Sequence, residues 1–192
     1  MATNKFDSFI KKTAREIASS QKDSIDWFKD SVEDMGKKEK RSDPNKIFKK
    51  FSAPQIGSMF LFFYDPKYKT ILPFYDMHPL AIPIEMYIDG FLGINLHYLP
   101  PLARVQLLKA LDDTKNNDKY NETTKLAISY ELLKRYANQF KGHEQCIKRY
   151  LFSHVRSSFH LVNPADWEKA VMLPLQRWSV NPNKRYAGSP PY

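Results

Sequence analysis

One cysteine, Cys146, is all the thiol the chain holds. An intrachain disulfide is therefore excluded, and the composition suits a reducing compartment. Glycine is scarce, at six in 192 residues. None of the six belongs to a glycine-rich phosphate loop or to the GxSxG elbow that seats a serine nucleophile. No apolar run approaches the roughly 18–20 residues of a membrane span. The opening MATNKFDSFIKKTAREIASS also has no apolar core of signal-peptide length. A soluble chain without membrane partners and without a secretion signal is the expectation. His143 and Cys146 stand three apart, as metal ligands on one helix face do, but a tetrahedral site needs two more ligands and no second CxxC, HxxxH or HxxE pair supplies them. No metal and no cofactor is expected.

What the chain has in excess is positive charge: 30 Lys or Arg against 21 Asp or Glu, a net +9 and a pI near 9.4. Such a balance favours polyanionic or acidic partners, nucleic acid or an acidic protein surface, although a solvated basic surface carries the same charge with no partner. The excess is not confined to a tail. Residues 1–50 hold 13 basic and 9 acidic side chains, and the remainder 17 and 12. The length suits one modest domain with extensions.

Aromatic residues are the second excess. Ten of the 27 fall between Phe60 and Tyr98, inside a block over residues 59–110 whose short β-type runs are cut by prolines. Met59 to Tyr64 is a continuous apolar run of strand length, and Asp65-Pro66 turns it. Thr70 to Tyr75 resumes the strand pattern, with Pro73 demoting it to an edge or a bulge. Leu80 to Ile88 alternates around Pro83, Asp89-Gly90 reads as a two-residue hairpin turn, and Phe91 to Leu99 follows with Gly93 as a bulge. Strands this short, with tight turns and kinking prolines, predict a small, partly open SH3-like antiparallel barrel over residues 51–100.

Helical patterns flank the block. Phe6, Phe9, Ile10, Ala14 and Ile17 recur at helical spacing, and Ile25, Phe28 and Val32 with Trp27 and Met35 suggest a second helix ending near Gly36. The charged stretch KKEKRSDPNK then reads as a linker, so residues 1–50 are expected to form a helical arm and linker, which either docks on a partner or folds back on its own domain. Pro100-Pro101 opens a helix carrying Leu102, Val105, Leu107, Leu108 and Leu111. Further helices are predicted over residues 122–140 and 143–155, and a short one after Asn163-Pro164. Residues 101–175 are thus expected as a cluster of about four helices packed on the barrel, and residues 176–192 as an extended arm. The fold class is α+β.

Candidate chemistry is thin. Asp65, Asp76, Glu85 and Asp89 could converge as a nuclease-type magnesium site, but three of the four adjoin a proline, a glycine or a strand end, where turn aspartates belong. His97, among apolar neighbours, reads as a hydrogen-bonded structural histidine. No catalytic residue is assigned and no enzyme is expected. Basic-aromatic interleaving is the stronger signal. CIKRYLFSHVRSSFH sets Lys148, Arg149 and Arg156 among Tyr150, Phe152 and Phe159, an arrangement suited to phosphate contact with nearby stacking groups, or else to a plain amphipathic helix. Arg177, Lys184 and Arg185 form a basic C-terminal arm with Trp178 and Tyr186 as aromatic anchors. Phe6, Phe9, Trp27 and Phe28 are the corresponding N-terminal anchors for a partner.

YDP at residues 64–66, LPFYD at 72–76, DGFLGINLHYLPP at 89–101 and CIKRYLFSHVRS at 146–157 together resemble a family of small proteins encoded by contractile-tailed bacteriophages of the T-even type. The resemblance spans roughly residues 57–178 and leaves the first 50 outside. It implies a virion or morphogenesis component, assembled in the host cytoplasm, and offers no catalytic residue. The leading expectation is a structural protein of the tail, baseplate or neck, joining other phage structural proteins in a symmetric assembly through its barrel edges and arms. The rival expectation is a DNA-binding protein that protects or guides genome ends, using Lys148, Arg149, Arg156 and the basic tail.

Overall fold

Met59, Phe60, Leu61 and Phe62 are all fully buried, and alternate residues go to opposite sides of one sheet. Met59 and Leu61 join a large aliphatic cluster, while Phe60 and Phe62 join a smaller aromatic one. A continuous apolar run is what a strand covered on both faces requires. The computed structural model describes residues 14–36, 49–51, 53–68, 75–115, 119, 121, 129, 131–133, 135 and 146–173.

Among these residues six strands form one antiparallel sheet: β1 (Lys49–Phe51), β2 (Phe60–Leu61), β3 (Leu80–Tyr87), β4 (Gly90–Asn95), β5 (Ile147–Leu151) and β6 (Phe159–Leu161). Their order is β1-β6-β2-β3-β4-β5, so the sheet is open, with β1 and β5 at its edges. One face is covered by α1 (Ala14–Gly36), α2 (Pro101–Lys115) and α3 (Trp167–Met172), with α1 and α2 both packed on α3. The aromatic face is covered by the chain itself. Residues 152–158 cross from β5 to β6, and an isolated bridge joins Val155 to Tyr64. Arg156 N–H donates to the Phe63 carbonyl at 2.8 Å, and Asp65 N–H to that of His154 at 2.9 Å. This crossover curls the aromatic side over, but the ladder order is that of an open sheet and does not define an SH3-like barrel.

Several local expectations shift. Residues 147–151, expected within a helix over 143–155, form β5, followed by a 3-10 turn at Phe152–His154. Pairing with β4 outweighs the helix-like spacing of Ile147, Tyr150 and Leu151. The sheet therefore takes β5 from a segment expected to be helical, and β6 from the connection between two expected helices. The hairpin turn lies one residue earlier than expected, because Gly90 pairs with Tyr87 and leaves Ile88-Asp89 as the loop. Gly90 is required for space, since a Cβ there would sit 1.9 Å from the Tyr150 carbonyl oxygen. The bulge falls opposite Gly93 and not on it. The register shifts between Pro83 and Glu85, which lets a central strand carry a proline that cannot donate to the ladder.

In the described part of the N-terminal region, α1 is one helix ending at Gly36 and belongs to the main core. Its buried Ser24 and Ser31 hydroxyls are satisfied by the carbonyls of Ser20 and Trp27, one turn back. Pro101 opens α2 as expected. Asn163 caps the turn at Pro164–Asp166 that leads into α3, accepting from Ala165 N–H at 2.9 Å. Arg104 of α2 is fully buried and donates to the carbonyls of Leu96, Ala170, Val171 and Leu173. It thus ties the turn that follows β4 to the C-terminus of α3, where a cation also complements the helix dipole.

Candidate nucleic-acid interface

The end of β4 and the edge strand β5 frame a cleft of about 330 Å³. Tyr64, Tyr68, Tyr75, Tyr98 and Tyr150 line it, together with Asp76, Asn95, Lys67, Lys148 and Arg149. β5 carries Lys148, Arg149 and Tyr150 in succession. The segment after β2 brings Tyr64 and Tyr68, and the turn before β3 brings Asp76.

Asp76 organises the interior. Its carboxylate is only 6% exposed and lies 2.7 Å from Nδ1 of the fully buried His97. It accepts from the Asn95 side-chain amide and from the His78 backbone N–H, each at 2.9 Å. The same Asn95 amide donates to the Tyr150 hydroxyl at 3.1 Å, and the Asn95 side-chain oxygen accepts from His97 N–H, capping a 3-10 turn at Leu96–Tyr98. Burial alone would raise the Asp76 carboxyl, but the His97 ring, the Asn95 amide and the His78 N–H hold it below its ordinary value. Burial pushes the Tyr150 phenol well above its ordinary value, with the Asp76 charge adding to the effect. The expected structural role of His97 is what its geometry displays: Nδ1 on Asp76 and the ring edge-on to Phe28 of α1 at 4.9 Å.

Lys148 is half-buried, with Nζ 5.1 Å from the centre of the Tyr98 ring. Burial lowers its ammonium pKa, opposed by the Asp76 charge. Arg149 lies over the Tyr87 ring at 3.9 Å and pairs with the exposed Asp89 at the hairpin tip. Arg156 is exposed, donates to the Ser153 carbonyl at 3.0 Å and stands 4.0 Å from the Asp65 carboxylate. Burial pushes the Cys146 thiol up to about 12, so it is inert as a nucleophile near neutral pH.

Of the residues proposed from sequence for nucleic acid, Lys148 and Arg149 come together at the cleft, on a strand and not on the helix expected for them. Arg156 lies beyond it, on the crossover. Two of the proposed partner anchors are otherwise occupied: Trp27 and Phe28 are buried in the chain's own core, because α1 packs there through that face. Phe6, Phe9, Arg177, Trp178, Lys184, Arg185 and Tyr186 lie outside the described residues. Of the four carboxylates weighed as a metal site, Asp76 is buried in its hydrogen-bond network while Asp89 is at an exposed turn. No group of three or more His, Cys, Asp or Glu among the described residues could hold a metal ion.

Sequence reasoning missed the tyrosines as a set, and missed Asp76 and Asn95 as its polar floor. The signal was present in LPFYD and GINLHYLPP, which contribute Tyr75, Asp76, Asn95, His97 and Tyr98.

No curated protein and no solved structure matches the chain. A family model does match, over residues 1–190, and so takes in the N-terminal 50 residues that the motif resemblance left out. Its description names the protection of DNA ends, which agrees with the rival expectation better than with a tail or baseplate component. The protein belongs to the family of the phage T4 terminal DNA protecting protein.

Proposed function

We propose that this protein binds the ends of linear phage DNA and shields them from degradation. The observation that carries this reading is the family match across nearly the whole chain. The net charge of +9 supports it, because phosphate neutralisation dominates affinity for DNA. The cleft supports it as well, by placing Lys148 and Arg149 beside aromatic rings. Arg156, on the crossover beyond the cleft, and Arg177, Lys184 and Arg185 add phosphate contacts. Trp178 and Tyr186 anchor the arm, either on the DNA or on a neighbouring phage protein, and the protein travels with the DNA end in the virion. Nothing in this role requires bond-making chemistry, cofactor or metal, since occupancy of the end is enough.

The test is a protection assay. End-labelled linear duplex is exposed to an exonuclease with and without saturating protein, and closed circular DNA cut by an endonuclease serves as the control. The expected result is slower loss of the end label and unchanged endonuclease cutting. Equal rates of end loss with and without the protein would refute the reading.

A further inference from the structure

We infer that the tyrosine-lined cleft receives one unpaired nucleotide at the DNA terminus, base inward and phosphate at the rim; the inference rests on the DNA-end reading and adds to it the form of DNA that is recognised. Size is the first argument. About 330 Å³ lies at the lower end of small-ligand pockets, roughly 300–1,000 Å³. A duplex, whose major groove alone is about 12 Å wide, cannot enter it. A single base freed from its stack can.

The lining is the second argument. Five tyrosines line the cleft, and base–aromatic stacking tolerates any sequence because every base has a π-face. Tyr68 is 52% exposed at the mouth, where an incoming base would meet it first.

Charge supplies the direction. The floor holds the Asp76 carboxylate, kept ionised by His97 and Asn95, and it repels a phosphate. Lys67, Lys148 and Arg149 stand around the same cleft and attract one. A nucleotide is therefore polarised on entry, with its base towards Asp76 and Asn95, whose polar atoms suit base-edge hydrogen bonds, and its phosphate towards the basic side chains. The Arg149–Asp89 pair does not prevent this. Asp89 is 68% exposed, and a surface pair of that kind contributes little and exchanges readily for phosphate.

The test uses the full chain and two duplexes of one sequence, blunt or extended by a single unpaired 2-aminopurine nucleotide at one end. Binding to the extended duplex is expected to be at least ten-fold tighter, with quenching of the 2-aminopurine emission on stacking. Tyr68→Ala, at an exposed position, is expected to abolish the preference for the extended duplex, bringing the ratio of the two affinities to about one. Equal affinity for the two duplexes, or an extended-duplex preference that Tyr68→Ala leaves intact, would overturn the cleft assignment while the DNA-end reading stands. Failure to bind either duplex would overturn both.

Discussion

At the scale of single residues, Asp76 decides more than any other side chain described. It holds His97 under α1, orients Asn95 towards Tyr150, and sets the sign of the cleft floor. Its carboxyl titrates below the ordinary 3.8, so on acidification the unfolded chain takes up that proton first. The associated stability is complete above about pH 3.8 and is lost as pH falls through the lower folded value. His78 acts higher on the scale. Burial lowers its imidazole below the ordinary 6.5, against the pull of Asp76, so the unfolded chain again binds the proton first and stability begins to decline as pH drops below about 6.5. Thermal unfolding followed from pH 8 to pH 3 should show a shallow loss below about 6.5 and a second below about 4. Asp76→Asn should lower stability at pH 7 and remove the second phase, and a variant that keeps the wild-type acid profile would exclude Asp76 as its source.

Elements add constraints that no single residue carries. The β3–β4 hairpin presents Tyr87 and Asp89 to Arg149 on β5, and β5 reaches that position only because β4 begins with glycine. A methyl group at Gly90 would overlap the Tyr150 backbone, so β5 must move if the substitution is made. Gly90→Ala should cost roughly 1–3 kcal/mol, the usual range for overpacking, as measured by urea unfolding. A loss under about 0.5 kcal/mol would mean that β5 shifts freely. The same two strands mark where sequence reading held and where it broke. Strands within residues 60–64, 80–88 and 91–99 were legible from strand-length apolar runs between turn residues. β5 was misread because Ile147, Tyr150 and Leu151 satisfy the i, i+3, i+4 spacing of a helix over too short a span to arbitrate. Its partner, β4, lies some fifty residues away, and only that pairing turns the basic-aromatic run into an edge strand.

For the whole molecule, the distribution of charge matters more than its total. Basic excess runs through both halves of the sequence, yet the fold concentrates Lys67, Lys148 and Arg149 around one aromatic cleft. If DNA is held there and along the tail, log affinity for a linear duplex should fall linearly with log salt, with a slope near −0.9 per phosphate neutralised. Replacing Arg177, Lys184 and Arg185 together by alanine should flatten the slope by up to about 3 while the protein stays folded. An unchanged slope, read by fluorescence anisotropy from 50 to 300 mM salt, would remove the tail from the interface.

By itself the sequence determined the material of this protein: one thiol, no membrane-length apolar run, a strongly basic balance, a proline-cut aromatic block and the motifs of a phage family. Composition and contiguous local patterns were enough for that, because apolar periodicity and turn chemistry are written in neighbouring positions. Only the tertiary structure decided that Tyr64, Asp76, Asn95, Tyr98 and Lys148 share one cleft, and that Trp27 and Phe28 are buried in the core. Those placements follow from strand pairing and helix packing between distant segments, where the burial of both sheet faces, and no local propensity, sets the outcome.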